Sequence, residues 1–328
     1  MTNTILITGG AGFIGAYLAK RFLDIGFHVV IVDMLYDVGA ISYIDPRSEF
    51  IKMSITDKKL YELLENYEFR AIYHLAAQSA GEPSYKDSFF DINTNAYGTF
   101  LVSQYAVKKR VPRLIYTSTV AVYGNAVNGS LNEESEINPD SIYGVSKYSG
   151  ELFVRQMSKN SETEFSIFRV FNTFGPGENL NYQMKGMVSI YSSFIWRNEP
   201  IIVKGSLDRY RDISYIEDVV DILFMALENK KSYSQVYNLS SSEKTTVEEL
   251  LDHIKKAAKV KSSYPVIVSE GTPGDSHGFH ADNRKLCNDF NWSKKYSILD
   301  GLKEYFDWIK NVPVKENISQ YHPFNFKT

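Results

Sequence analysis

Residues 4–15 read TILITGGAGFIG, and no other stretch restricts the fold of this chain as strongly. A short β-branched run that ends in glycines is the profile of a strand buried in a parallel sheet. Gly10, Gly12 and Gly15 fit G-x-G-x-x-G, while Gly9, Gly12 and Gly15 fit G-x-x-G-x-x-G. Glycine permits the tight turn and lets the backbone approach a pyrophosphate, and the helix N-terminus that follows offers N–H groups and a partial positive charge. The glycines alone are a weak signal; a strand before them and a helix after them make it a strong one for a dinucleotide. Asp33 closes the next apolar strand, 18 residues beyond Gly15. A carboxylate there accepts from an adenosine ribose diol and repels a 2′-phosphate, so NAD is expected over NADP.

The pattern continues as alternating strands and helices. Apolar runs at 27–32, 71–76, 114–118 and 165–170 read as strands, and 16–26, 93–110 and 141–159 as helices. That order predicts an α/β fold with a doubly wound parallel sheet of Rossmann type. Beyond residue 172 the texture changes to a Gly-, Pro- and Asn-rich loop over 173–186. Helices are expected at 187–197, 213–229, 246–258 and 298–310, a strand at 200–203, and irregular chain at 262–285. The helix at 246 has a capping signature, Thr245 or Thr246 ahead of Glu248 and Glu249. The expected division is a dinucleotide domain over 1–172 that also takes in about 200–230, and a smaller C-terminal α/β substrate domain from 173–199 and 231–328.

Charge and cysteine usage remove several alternatives. A formal net charge of -3 and a pI near 6.1 argue against a nucleic-acid-binding protein, which is usually basic. One cysteine, Cys287, excludes a disulfide framework and a cysteine-rich zinc site. No window reaches 18 consecutive apolar residues and MTNTILITGG lacks a basic start, so no membrane span or secretion signal is expected and the chain is read as cytoplasmic. His74 ends a buried strand and reads as a satisfied core histidine, and no metal site is expected at His277 and His280.

Tyr143 and Lys147 are four residues apart at the start of a helix, on one face. A neighbouring ammonium favours a phenolate, so Tyr143 is expected to have a lowered pKa and to act as a general base. Upstream, a strand ending in Thr117, Ser118 and Thr119 can hold Thr119 beside it. Together with HLAAQ at 74–78, NAYGT at 95–99, TSTVAVYG at 117–124, YGVSK at 143–147, RVFNTFGP at 169–176 and RDISYIEDV at 211–219, these motifs carry a resemblance. The chain resembles the extended short-chain dehydrogenase/reductases of the nucleotide-sugar epimerase and dehydratase family, in particular the UDP-glucose 4-epimerase branch, over nearly its whole length.

The resemblance implies NAD as cofactor, with Thr119, Tyr143 and Lys147 as the catalytic set. It places Gly9, Gly12, Phe13, Ile14 and Gly15 at the pyrophosphate and Asp33, Met34, Ser54 and Ile55 at the adenosine end. Leu75, Ala76, Ala77, Gln78, Asn95, Thr117, Ser118 and Phe171 would line the rest of the cofactor site, with Tyr143 and Lys147. Thr119, Tyr143, Asn172, Met187, Val188 and Arg211 would hold a nucleotide sugar, and Arg209 would supplement them. The resemblance further implies a homodimer built on a four-helix bundle from the helices at 93–110 and 141–159, and a role in sugar-nucleotide or surface polysaccharide synthesis.

Three departures from the family pattern matter. Met53-Ser54 stands where Gly-Asp is common, which alters the adenine contact. Thr272-Pro273-Gly274-Asp275 lacks the arginine of the late R-x-G-D motif, and Arg209 is the extra cation that would compensate. Val120-Ala121 replaces the Asp-Glu pair of the dehydratases, so 4,6-dehydration is disfavoured. The expected activity is a nucleotide-sugar 4-epimerase working through a 4-keto intermediate; a net 4-dehydrogenase and a non-catalytic NAD sensor stay open as alternatives, as do the sugar and the base.

Overall fold

The computed structural model describes residues 2–35, 44–124, 129–180, 186–271, 277–312 and 314. The N-terminal half runs β1 (Thr4–Thr8), α1 (Phe13–Asp24), β2 (His28–Asp33), β3 (Glu49–Lys52), α2 (Lys58–Leu63), β4 (Ala71–His74), α3 (Gly81–Lys86), α4 (Ser88–Ile92), α5 (Thr99–Lys108), β5 (Arg113–Thr119), β6 (Gly129–Leu131), α6 (Ile142–Ser158) and β7 (Glu164–Val170). The rest runs β8 (Asn172–Phe174), α7 (Met187–Trp196), β9 (Ile201–Lys204), β10 (Tyr210–Arg211), β11 (Ile213–Tyr215), α8 (Ile216–Met225), β12 (Gln235–Leu239), β13 (Thr245–Thr246), α9 (Val247–Ala258), β14 (Val266–Ser269), β15 (Gly278–Ala281), α10 (Arg284–Phe290) and α11 (Ile298–Ile309).

Seven strands form one sheet in the order β12-β7-β5-β4-β1-β2-β3, every pair parallel. Its central strands are apolar on both faces because helices cover both. Alternate residues of one strand therefore enter different cores: Ile5, Ile7, Val29, Ile31 and Ile115 pack on one side, and Leu6, Val30, Val32, Ile72 and Leu114 on the other. Each such side chain contributes about 1.5–3 kcal/mol on full burial. The doubly wound sheet read from the sequence is the observed one.

Several boundaries differ from the expected ones. α1 starts at Phe13, three residues before the expected start, because Gly12 already serves as its N-cap. The long helix expected over 93–110 begins as a π turn, Asn93–Gly98, that runs on from α4 and continues as α5. The segment read as one helix over 213–229 opens instead as β11, whose three residues are buried and pair with β8, and turns helical only at Ile216. The irregular chain expected over 262–285 contains β14, β15 and the start of α10. The capping box at Thr246 and Glu249 is present.

The return of the chain to the large sheet also differs from the expected one. The strand near 200 is β9, and it pairs with β14 in a separate two-stranded sheet. β12, placed in the substrate region by the sequence reading, forms the edge of the main sheet beside β7. α8 does pack back on the first region, where Arg21 of α1 bridges to Asp221. β13, β10, β15 and β6 make a small mixed sheet, in which residues 129–131 pair with a strand of the C-terminal half.

Candidate active site

A cleft of about 530 Å³ opens beyond the carboxyl ends of β1, β2, β4, β5 and β7. In a doubly wound sheet this is where ligands bind. Its wall runs from Gly9, Gly12, Phe13, Ile14 and Gly15 past Asp33, Met34, Ser54 and Ile55 at one end. It continues through Leu75, Ala76, Ala77 and Gln78 to Thr117, Ser118, Thr119, Tyr143, Lys147, Phe171 and Asn172 at the other. Residues separated by more than 160 positions thus meet in one continuous trough.

The glycine loop fits a phosphate by being bare. Gly9 has φ +71°, and a Cβ on it would lie 2.6 Å from the Ala76 amide nitrogen. A Cβ on Gly15 would lie 2.3 Å from the Gly9 carbonyl oxygen. No side chain caps the N-terminus of α1, and its first turn carries no acidic residue. The helix end therefore keeps its favourable field for an anion. Asp33 accepts from Ala11 N–H at 3.2 Å and Leu35 N–H at 2.8 Å, so one carboxylate both braces the loop and lines the cleft. Asn95 departs from its expected place on the wall: it is fully buried and grips Gln78 from behind.

The chemical end of the cleft is built on β5 and α6. Ser141 caps α6 by accepting from Gly144 N–H at 3.1 Å, which sets Tyr143 in the first turn. Thr119, the last residue of β5, is hydrogen-bonded to the Tyr143 phenol and accepts from Ala121 N–H at 3.2 Å. Lys147, one turn on, is 2 % exposed, with Nζ 4.4 Å from the Tyr116 ring centre. The expected lowering of Tyr143 by Lys147 is not what the geometry produces. Shielding from water pushes the phenol up to about 12, against the lowering effect of Thr119, and the Asp91 carboxylate adds to the rise. The same shielding pushes Lys147 down to about 7, against the opposing pull of Asp91 and Glu151. Both residues lose more from desolvation than their neighbours return.

His74 is the satisfied core histidine the sequence suggested. Nδ1 lies 2.7 Å from Thr8 Oγ1 and Nε2 2.9 Å from Thr99 Oγ1. Thr99 donates to the Asn95 carbonyl at 2.6 Å, so its oxygen accepts from Nε2–H and Thr8 donates to Nδ1. Burial and Lys147 hold the ring's pKa down at about 3, and it stays neutral.

The expected substrate residues are less concentrated. Asn172 lines the cleft and donates to the Asp212 carbonyl at 3.1 Å. Met187 and Val188 line a small crevice beside it with Glu178 and Gly186, not the main wall. Arg209 and Arg211 are also off that wall. Arg211 donates to the Tyr210 carbonyl at 2.8 Å and lies 5.3 Å over Phe279; Arg209 donates to the Lys204 and Ser206 carbonyls and to Tyr191. Burial, with Arg209 nearby, lowers Arg211 to about 10. The 272–275 segment lies outside the described residues. Sequence reasoning missed Phe90, Thr94, Glu178, Asn179, Trp308 and Val312 on the cleft wall, and Asp91 behind it. Asp91 had a signal, since it stands four residues before Asn95 on the same helical face; Trp308 and Val312, far along the chain, had none.

Known proteins resemble this chain in sequence and fold. The family model for GDP-mannose 4,6 dehydratase matches residues 6–305. A putative UDP-glucose 4-epimerase of Methanocaldococcus jannaschii is 29% identical over 94% of this chain and 98% of its own. The crystal structure of the Thermotoga maritima UDP-glucose 4-epimerase with UDP-glucose superposes with a TM-score of 0.87 at 27% identity, covering 94% of this chain and 98% of that one. The UDP-glucuronic acid 4-epimerase of Bacillus cereus, in complex with UDP-glucuronic acid and NAD, gives 0.83 at 27% identity over 94% and 99%.

Proposed function

The chain belongs to the family of the GDP-mannose 4,6 dehydratase model, the extended short-chain dehydrogenase/reductases of nucleotide-sugar metabolism, and on that premise we propose that it is an NAD-dependent nucleotide-sugar 4-epimerase. The observation that carries this reading is the meeting of Thr119, Tyr143 and Lys147 in one cleft with the bare glycine loop, while Val120 stands beside Thr119. Elimination across C5 and C6 needs an acid at that place, and a valine side chain has no proton to give. UDP-sugars are the substrate class its relatives' names support.

The residues divide the work as follows. Gly9, Gly12 and the α1 N-terminus hold the pyrophosphate of NAD, Asp33 the adenosine ribose and Lys147 the nicotinamide ribose. When bound, NAD supplies a hydride acceptor for C4 and a donor for the return. Tyr143, neutral in the ligand-free cleft, would lose its proton to solvent once the cationic nicotinamide ring of NAD lies nearby; the phenolate would then take the C4 hydroxyl proton, with Thr119 bonded to the same oxygen, and give it back after the 4-keto sugar has turned its other face. Asn172, Arg211 and Arg209, with Met187 and Val188, anchor the nucleotide diphosphate while the sugar turns; a guanidinium fork suits phosphate oxygens.

The protein acts as a homodimer. Phe89, Ile92, Val145 and Leu152 are large apolar residues with exposures of 79%, 50%, 49% and 49%, grouped on α4 and α6. α5 and α6 pack together, so a second copy laid on this face would add its own α5 and α6 and complete a four-helix bundle, with α4 at its margin. None of the described helices is long and apolar enough to cross a membrane, and we place the enzyme in the cytoplasm.

The test is an incubation with UDP-glucose deuterated at C4, with no added oxidant. An epimerase returns the deuterium at C4 of the inverted sugar. Stoichiometric 4-keto sugar without inversion would replace this reading with a net 4-dehydrogenase.

A further inference from the structure

Asp91 has no exposed surface, and the two side chains that bond it are neutral: Ser146 donates to Oδ1 and Asn95 Nδ2 to Oδ2 at 3.2 Å. A buried carboxylate is costly unless a cation answers its charge. The neighbouring cation is Lys147, the residue after Ser146 and itself almost wholly buried; the two charges attract each other without a direct ion pair, and the contact between them runs through Ser146. We propose that Asp91 is a positioning residue: it is the counter-ion to the Lys147 ammonium and, through Ser146, fixes the first turn of α6 under Tyr143. This rests on the reading of Lys147 and Tyr143 as members of the catalytic set.

The other groups around Lys147 do not take that part. Glu151 also faces it, but its carboxylate is held by Arg169 in two bonds of 2.9 and 3.0 Å. That charge is already answered. His74 is neutral with both ring nitrogens bonded. Tyr116 lies under the ammonium and Tyr143 one turn before it; burial raises both phenols, which therefore stay neutral. Asp91 is left as the uncompensated anion facing a lysine that burial alone would strip of its proton. The Ser146 hydroxyl also lies 3.0 Å from the Tyr143 carbonyl, so the group that binds Asp91 belongs to the turn that carries the base.

The experiment reads the charge of Lys147 directly, in the chain without NAD or sugar. Acetic anhydride labels only neutral amines; trace labelling across pH 5 to 10, followed by mass spectrometry of the Lys147 peptide, gives its titration midpoint. Exposed Lys58 is the internal standard. Asp91→Asn should move the Lys147 midpoint down by about one pH unit, the scale of a nearby opposite charge, and leave the extent of Lys58 labelling unchanged. An unmoved Lys147 midpoint in folded Asp91→Asn overturns the proposal. Should Asp91→Asn unfold, so that Lys147 labels like Lys58, Ser146→Ala decides. It removes a donor that holds Asp91 ionised, so a lowered Lys147 midpoint supports the assignment and an unchanged one overturns it. Neither outcome depends on whether the chain epimerises a sugar, so failure of this proposal and failure of the functional reading are told apart.

Discussion

The side-chain amide of Asn95 brackets the peptide of Gln78, accepting its N–H at 2.9 Å and donating to its carbonyl at 3.0 Å. Both residues are buried, and Gln78 belongs to the segment 75–79 that forms one wall of the cleft. The brace thus holds a ligand surface that Asn95 itself does not reach. Asn95→Ala leaves two buried peptide groups without partners, so stability in urea should fall by about 1–3 kcal/mol. NAD affinity should fall with it, measured by titration of the folded protein.

Tyr143→Phe should keep NAD affinity and lower turnover by about 10²–10⁴-fold, the usual share of a general base. Fluorescence titration and a steady-state assay with UDP-glucose check the two halves. Near-normal turnover would remove Tyr143 from its role.

His74 supplies a pH dependence whose sign follows from its burial. The folded-state pKa is held down at about 3, against an ordinary value of 6.5. The unfolded chain therefore binds the extra proton over that window, and folding is disfavoured progressively as pH falls through it. Between pH 6.5 and 4.5 this group costs about 2 kcal/mol of stability. Asp91, pushed up to about 6 by burial, works in the opposite sense but is common to both proteins compared. His74→Asn should be less stable than the parent at pH 7, yet lose about 2 kcal/mol less on acidification. Urea midpoints at the two pH values measure this; parallel losses would contradict it.

Arg211→Ala should weaken UDP-glucose binding by about 1.5–3 kcal/mol, the worth of a hydrogen bond to a charged group, and leave NAD binding unchanged. Calorimetry with each ligand separates the two. Equal losses would point to a disturbed fold.

Where the sequence was legible, one physical rule acted over a short span. Thr4–Thr8 reads as a buried strand because five successive residues suit burial on both faces, and Gly9 and Gly15 mark close approaches that a Cβ would block. The Thr246–Glu249 cap is local in the same way. The failures have the opposite character. Ile213, Ser214 and Tyr215 look like the first turn of an apolar helix, and only pairing with β8 makes them a strand. The π turn at Asn93–Gly98 is invisible to a 3.6-residue period.

The sequence by itself determined the alternating architecture, the glycine loop and the candidate trio of Thr119, Tyr143 and Lys147, because periodicity, glycine spacing and residue chemistry are properties of neighbours along the chain. The tertiary structure decided the charges. Tyr143 and Lys147 stand four residues apart in any helix, but whether the ammonium lowers the phenol depends on how much water both have lost and on which carboxylate lies behind them. Asp91 reaches that position only because α4 packs against α6, bringing it beside Ser146 from 55 residues away. Desolvation and Coulomb energy depend on distance through space, and no spacing along the chain encodes them.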